Sequence, residues 1–308
     1  MIYKEMNPIN KSFWLLFTVA SGNIFNPLNS SMISVALPRI QSDFQLSYTT
    51  VSWLISSYYL SSAIAQPIMG KIGDQIGTKK MFLGGLLLVA VSAVAAPWAP
   101  TFLALLLLRL FQSVGSSSIF PSGVSIIHRN VQKNQASAMA IIAVCNSATA
   151  ALGPTIGGFL VAWGDWPAIF TINFPLLLLS FLLGWFFLPP DPKQIKQPLR
   201  EILGKLDIPG IILFALTAVF SLWFLLSLES QLHLVSGLAG LIFLVGFIWW
   251  EMRTESAFID IRFFCRHREL AIVYGQFMVL NIFFMRCFLV CQLISKVQCT
   301  WTRVIADC

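Results

Sequence analysis

Long apolar runs separated by short polar clusters set the rhythm of this chain. They occupy residues 12–37, 48–69, 81–99, 101–127, 136–162, 167–188, 208–228, 233–250 and 270–294. Most reach the ~20 residues that an α-helix needs to cross ~30 Å of hydrocarbon. The pattern predicts nine membrane-spanning helices and an all-α transmembrane fold. The polar clusters alternate in charge. Lys4 and Lys11, then Lys71, Lys79 and Lys80, then Arg129 and Lys133 all fall on one side. So do Lys193, Lys196, Arg200 and Lys205, and Arg253, Arg262, Arg266 and Arg268, whereas the opposite loops hold only Arg39. Short basic loops stay in the cytoplasm, so the N-terminus is expected there, in a multi-pass protein of the cell membrane. One missed helix would scramble the alternation. Trp14, Trp98, Trp163, Trp166, Trp185, Trp249 and Trp250 lie near span ends, where an amphipathic indole suits the interface.

Composition removes the soluble alternatives. Of the 308 residues, 57% are hydrophobic and 11% charged, and mean hydropathy is +0.78. A soluble domain carries about 25% charged residues to solvate its surface. The first run is too long for a signal peptide, and eight more follow it. The net charge of +7 is spread over the basic loops, which points to lipid headgroups and away from nucleic acid. The cysteines have no zinc-site spacing, and no Ser/His/Asp, metal or paired-carboxylate constellation falls at membrane depth. A non-enzyme with no cofactor and no metal is expected. Three segments follow: a six-span bundle at 1–188, a cytoplasmic linker plus two spans at 189–250, and a loop, ninth span and tail at 251–308.

Three short motifs stand out. The loop "GKIGDQIGTKK" at 70–80 places Gly70, Gly73 and Gly77 where a tight turn is expected, with Asp74 among Lys71, Lys79 and Lys80. Alone, it is also an ordinary charged loop. In "LLLLRLFQSVGSSSIFPSG", Arg109 and Gln112 lie one helical turn apart, followed by Gly115 and a run of serines. An arginine at membrane depth costs about 2.5–3.5 kcal/mol on insertion scales, so Arg109 is expected to face a polar interior or a partner. In "LGPTIGG", Pro154 removes a helical hydrogen bond, and Gly153, Gly157 and Gly158 admit a neighbouring backbone. That also describes a kinked packing helix.

In this order and spacing the three motifs resemble those of the major facilitator superfamily of secondary transporters. "SVALPRI", "WPAIFTINFP", "LDIPG" and "IDIRFF" are similar to the fourteen-span drug:proton antiporter group. Gln75 and Thr78 depart from the loop motif, where basic residues are usual, and Ser113 replaces a glycine of the span-four motif. The resemblance implies two six-helix bundles, each a 3+3 inverted repeat, rocking about a central cavity. It implies that Gly70, Asp74, Gly77 and Lys79 form a conformational-switch loop, with Asp74 capping a helix of the other half. The span-five glycines would shape the interface between halves. The implied function is drug or multidrug efflux of an amphipathic small molecule, driven by a proton gradient. Transport of a metabolite or metal–drug chelate, or a non-transporting interaction subunit, are the other readings.

Against that template the chain supplies one bundle, the extra pair, and the start of a second bundle. The tail after Met285 holds Cys287, Cys291, Cys299 and Cys308 and differs in composition from the rest. A truncated product of a shifted or shortened reading frame, without autonomous transport, is the expectation; a divergent ninth helix is the alternative. On span one, Asn23, Asn26, Ser30 and Ser34 share one helical arc. These, with Asn29, Gln66 and Asn146, are candidate cavity-lining residues, joined by Arg109 and Gln112. Hydrogen bonding between helices would explain them equally well. Every acid and histidine lies in a loop, the tail or at a span edge, so no span offers an evident proton site. Asn29 stands where many relatives of the resembled family carry an aspartate.

Overall fold

A computed structural model of the chain describes residues 8–131, 134–191, 207–227, 234–254, 259, 261–280 and 283. The tail with its four cysteines and the basic linker residues Lys193–Lys205 lie outside the described residues. All regular structure described is helical. Span one comprises α1 (Pro8–Asn23) and α2 (Phe25–Phe44), in line through Ile24. Then come α3 (Tyr48–Ile76), α4 (Thr78–Ala95), α5 (Phe102–Asn130), α6 (Gln135–Thr171) and α7 (Asn173–Phe187). The pair α8 (Ile208–Ser227) and α9 (Leu234–Glu251) follows, then the short α10 (Ile261–Arg266). Residues 268–280 are helical, at the start of the expected ninth span.

Local chemistry sets the helix ends. Ser47 Oγ accepts the Thr50 N–H at 3.2 Å to start α3, and Thr101 Oγ1 does the same for Ala104 at 3.2 Å on α5. These side chains satisfy backbone donors that the first turn leaves open. One expected boundary shifts. Gly70 and Gly73 lie inside α3, not in a turn; Gly77 alone turns the chain, at φ 118°, a region open to glycine and costly for other residues. Gly73 packs against Met81 and Ser122, where a Cβ would make ordinary contacts at 3.5 and 3.6 Å. Spans five and six part at Gly164 and Asp165, where backbone angles leave the helical region, and Pro154 sits within continuous helix. Asp165 Oδ1 accepts the Trp166 N–H at 2.8 Å and restarts the helix.

The first six spans form one bundle with the pairing of an inverted repeat. Span one (α2) packs on span five (α6), as span four (α5) packs on span two (α3); span three (α4) meets span six (α7). Swapping the first three spans for the second three preserves these pairs. Beyond the bundle, α8 and α9 pack on each other and α8 touches α3. Asp207 Oδ1 ties this pair by accepting from Gly210 N at 3.1 Å and Trp250 Nε1 at 2.9 Å.

Two apolar clusters fill the bundle. One joins Leu15, Phe25, Phe82, Val89, Ile119, Ile142 and Leu177, toward the end with the basic loops. The other joins Met32, Ile40, Leu54, Leu105, Leu160, Trp166 and Phe170, toward the opposite end. Outward positions are also apolar, including Leu87, Val91, Leu107, Phe111, Phe159 and Leu179. An outer surface of this kind suits lipid and not water. The stretches Thr78–Trp98, Phe102–Asn130, Gln135–Phe187 and Leu234–Glu251 are apolar and long enough to cross a membrane by length and composition alone. Helices α2 and α3 carry more amides and hydroxyls, because they line the polar layer between the clusters.

Candidate functional site

That polar layer is built around Arg109, which is 1% exposed. On α5 it lies between Leu105 of one cluster and Ile119 of the other. Its Nη1 donates to Gln112 Oε1 at 2.6 Å. The three-residue spacing puts both side chains on one face, as the sequence predicts. The guanidinium carbon stands 4.4 Å from the centroid of the Tyr58 ring and 6.0 Å from that of Phe170. Ring quadrupoles of this kind attract a cation and offset part of its desolvation.

Tyr58 connects the layer across three helices. Its hydroxyl donates to Asn26 Oδ1 on α2 at 3.2 Å and lies 2.9 Å from Ser116 Oγ on α5. Ser113 Oγ donates to the Tyr58 carbonyl at 2.7 Å, and Ser117 Oγ to Ser62 Oγ at 3.1 Å. Asn26 and Gln112 thus join Arg109 in one network. Tyr58 was not among the residues expected here. Its only sequence signal is a tyrosine pair within the serines of "SSYYLSS".

The other candidates have separate places. Asn29 is 1% exposed and accepts from Asn173 Nδ2 at 3.0 Å. It joins α2 to α7 inside the bundle. Ser30 Oγ donates back to the Asn26 carbonyl at 2.9 Å. Asn23 is buried against α5 beside Gly123, and neither side-chain polar atom has a partner. Asn146 is half-buried on α6 with an unpartnered carbonyl oxygen, and Gln66 is half-buried on α3. The structure therefore brings together Asn26, Arg109 and Gln112, and leaves Asn23, Asn29, Gln66 and Asn146 apart.

Helices α3 and α5 also form an open groove of about 460 Å³. Ser57, Leu60, Ser61, Ile64, Leu110 and Val114 line it. Tyr58, Arg109 and Gln112 are not among these lining residues; their chain neighbours Ser57 and Leu110 face the groove from the next position around each helix. Its size falls within the 300–1,000 Å³ range of small-molecule sites, and apolar walls with few polar groups are their usual lining.

The span-five glycines face inward. A Cβ at Gly157 would come 3.0 Å from Met32 Cα and 3.1 Å from its carbonyl oxygen, and one at Gly153 would collide with Ser31 Oγ. These two glycines let α6 approach α2 within the bundle; the outward side of α6 presents Leu152, Ile156 and Phe159 instead. Gly115 serves the α4–α5 contact, opposite Gly85.

At the basic end, Asp74 Oδ1 pairs with Arg129 Nη2 of α5 at 3.2 Å, within the same bundle. Lys79 Nζ donates to the carbonyls of Trp185 and Leu188, both at 2.8 Å, at the C-terminal end of α7. Asp191 reciprocates, accepting from Lys79 N at 2.8 Å and Lys80 N at 3.2 Å at the start of α4. Each charge sits at the helix end whose dipole favours it.

Residues 19–294 match the sequence profile of the Major Facilitator Superfamily. The chain belongs to this superfamily. It is 56% identical over 269 residues to the uncharacterized MFS-type transporter YwoD of Bacillus subtilis, covering 87% of this chain and 59% of YwoD. It is 27% identical to the riboflavin transporter RibZ of Clostridioides difficile, over 82% of this chain and 55% of RibZ. It is 28% identical to MdtD of Pectobacterium atrosepticum, whose name assigns it provisionally to multidrug resistance, over 82% of this chain and 54% of MdtD. The chain therefore spans little more than half the length of these superfamily members. Among solved structures, a bacterial homologue of the lysosomal transporter Spinster has a TM-score of 0.53 at 17% identity, covering 69% of this chain and 51% of that one. The D-xylose–proton symporter has a TM-score of 0.50 at 14% identity, covering 70% of this chain and 69% of that one. At these identities the likeness concerns the fold alone, and it agrees with the repeat pairing described above.

Proposed function

We propose that this chain supplies the first bundle of a secondary transporter that exports amphipathic small molecules across the cell membrane, with its basic end in the cytoplasm. The observation that carries this reading is the buried polar layer around Arg109, in a bundle whose α3 and α5 also form an apolar groove. Polar and ionisable groups at membrane depth are expensive and mark substrate pathways. MdtD supports drug efflux as the substrate class. RibZ favours a second reading, export or import of an aromatic metabolite. Among the described residues, Asp43, Asp74, Asp165 and Asp191 all sit at helix ends, so coupling to a proton gradient would rest on acids outside the polar layer.

Alternating access rocks two bundles about a central site, and the described residues furnish one. The test compares cells expressing the 308-residue chain with cells expressing the same chain continued by the corresponding second half of YwoD. Drug susceptibility across a compound panel is expected to fall only with the second bundle present. Riboflavin accumulation that changes while susceptibility does not would replace drug efflux with the metabolite reading.

A further inference from the structure

We propose that Arg109 and Gln112 receive an anionic group, a carboxylate or phosphate, carried by the transported molecule. The inference rests on the transporter reading above and names the substrate chemistry of that same site. A guanidinium has five N–H donors and no acceptor. Only Nη1 has a partner, Gln112 Oε1. Arg109 Nε and Nη2 are buried without one, and so is Gln112 Nε2. Gln112 spends its acceptor on Arg109, so the unused capacity of the pair consists of donors alone, on a cation. The complementary ligand is an acceptor with negative charge, and such charge-assisted bonds are about twice as strong as neutral ones.

Nothing described in the protein fills this role. Among the described residues no carboxylate pairs with Arg109: Asp43 holds Trp166 Nε1, Asp74 holds Arg129, and Asp191 holds the start of α4. Asn29, also on span one, is a neutral amide already bound to Asn173. Tyr58 and Phe170 engage the guanidinium through their rings, which attract the cation without accepting its in-plane N–H groups as a carboxylate does.

The groove between α3 and α5 supplies the rest of the ligand's description. Its Leu60, Ile64, Leu110 and Val114 walls suit an apolar body, and because neither Arg109 nor Gln112 lines it, an anionic head reaches the pair only once α3 and α5 part. The ligand is an aryl or alkyl anion. Because Arg109 is 1% exposed, the observed arrangement is closed, and entry requires α3 to shift against α5.

The test uses the full 308-residue chain in nanodiscs of uncharged phosphatidylcholine, with three probes of one shape: 1-naphthoate, neutral 1-naphthamide and cationic 1-naphthylmethylamine. Calorimetry is expected to show naphthoate binding at least about tenfold more tightly than the amide, and the amine most weakly. Gln112→Glu places a carboxylate within reach of Arg109. It is expected to abolish the naphthoate preference while raising Tm, which also shows that the variant folds. Equal affinity for naphthoate and naphthamide, or a preference that survives Gln112→Glu, overturns the anion site and leaves the transporter reading intact. Failure of all three probes to bind overturns the anion site and leaves the transporter reading to its own two-bundle test.

Discussion

The guanidinium of Arg109 lies 4.4 Å over the centre of the Tyr58 ring, at a depth where both side chains are sealed from solvent. Tyr58 does two separable jobs there: its ring faces a buried cation, and its hydroxyl bonds Asn26 and Ser116. Tyr58→Phe keeps the first and loses the second, at an expected cost of about 1–3 kcal/mol from the groups left unsatisfied. Tyr58→Ala loses both and opens a cavity, costing about 3–5 kcal/mol. Thermal unfolding in detergent should rank wild type above Tyr58→Phe and Tyr58→Phe above Tyr58→Ala. Equal effects would show that the ring contributes nothing beyond its hydroxyl.

The contact between α2 and α6 depends on backbone proximity at Gly157. A methyl there meets Met32 main-chain atoms at 3.0–3.1 Å, so Gly157→Ala is expected to destabilise by about 1–3 kcal/mol through overpacking. Gly158→Ala is the control, because its Cβ would find only Val35 Cγ1, at 4.0 Å. Unfolding midpoints for the pair check this. Lipid tails are as apolar as leucine, so close packing of this kind is what holds membrane helices together.

Asp191 caps α4 from beyond the end of α7. Asp191→Asn removes the charge and keeps an acceptor, whereas Asp191→Ala removes both. The alanine variant should cost about 0.5–2 kcal/mol, the range for a lost N-cap, and the asparagine variant less. Hydrogen exchange at the Lys79 and Lys80 amides reads this locally, with faster exchange in the order alanine, asparagine, wild type.

The Asp74–Arg129 pair is half-exposed, with side-chain exposures of 59% and 41%. Exposed pairs contribute about 0–1 kcal/mol. A double-mutant cycle with Asp74→Asn and Arg129→Gln should therefore give a coupling below about 1 kcal/mol. A larger loss of transport in the two-bundle chain would assign Asp74 a role in switching and not in holding the bundle together.

Much of this was legible in the chain itself. The alternation of basic and uncharged loops placed every bundle span in order, and the cost of an arginine at membrane depth pointed to the polar interior in which Arg109 lies. The interior leaves a weaker trace in the sequence. Tyr58 reaches Arg109 from another helix, and pairing across helices leaves no periodic trace in either one. Asn29 projects toward α7 instead of joining the Asn26 network, a choice set by the neighbouring helices and not by its own span. The break at Gly164–Asp165 falls between the expected spans five and six, and Pro154 stays within continuous helix, because membrane helices can re-satisfy the backbone groups freed by a proline. Gly70 and Gly73 suggested a turn, yet tertiary packing outweighs the ~1 kcal/mol that each costs a helix.

The central claim is that this chain forms a membrane bundle whose polar layer serves transport. The most direct measurement is efflux of a fluorescent amphipathic compound from cells carrying the chain joined to the second half of YwoD. Membrane insertion is verified in parallel by labelling Thr49→Cys and Trp98→Cys from outside, and Lys80→Cys and His128→Cys only after permeabilisation, in a background without native cysteines. The account predicts efflux above that of empty cells, and its loss in Arg109→Ala at equal membrane abundance. Correctly inserted protein that moves neither the drug panel nor riboflavin, or efflux unchanged by Arg109→Ala, would contradict it.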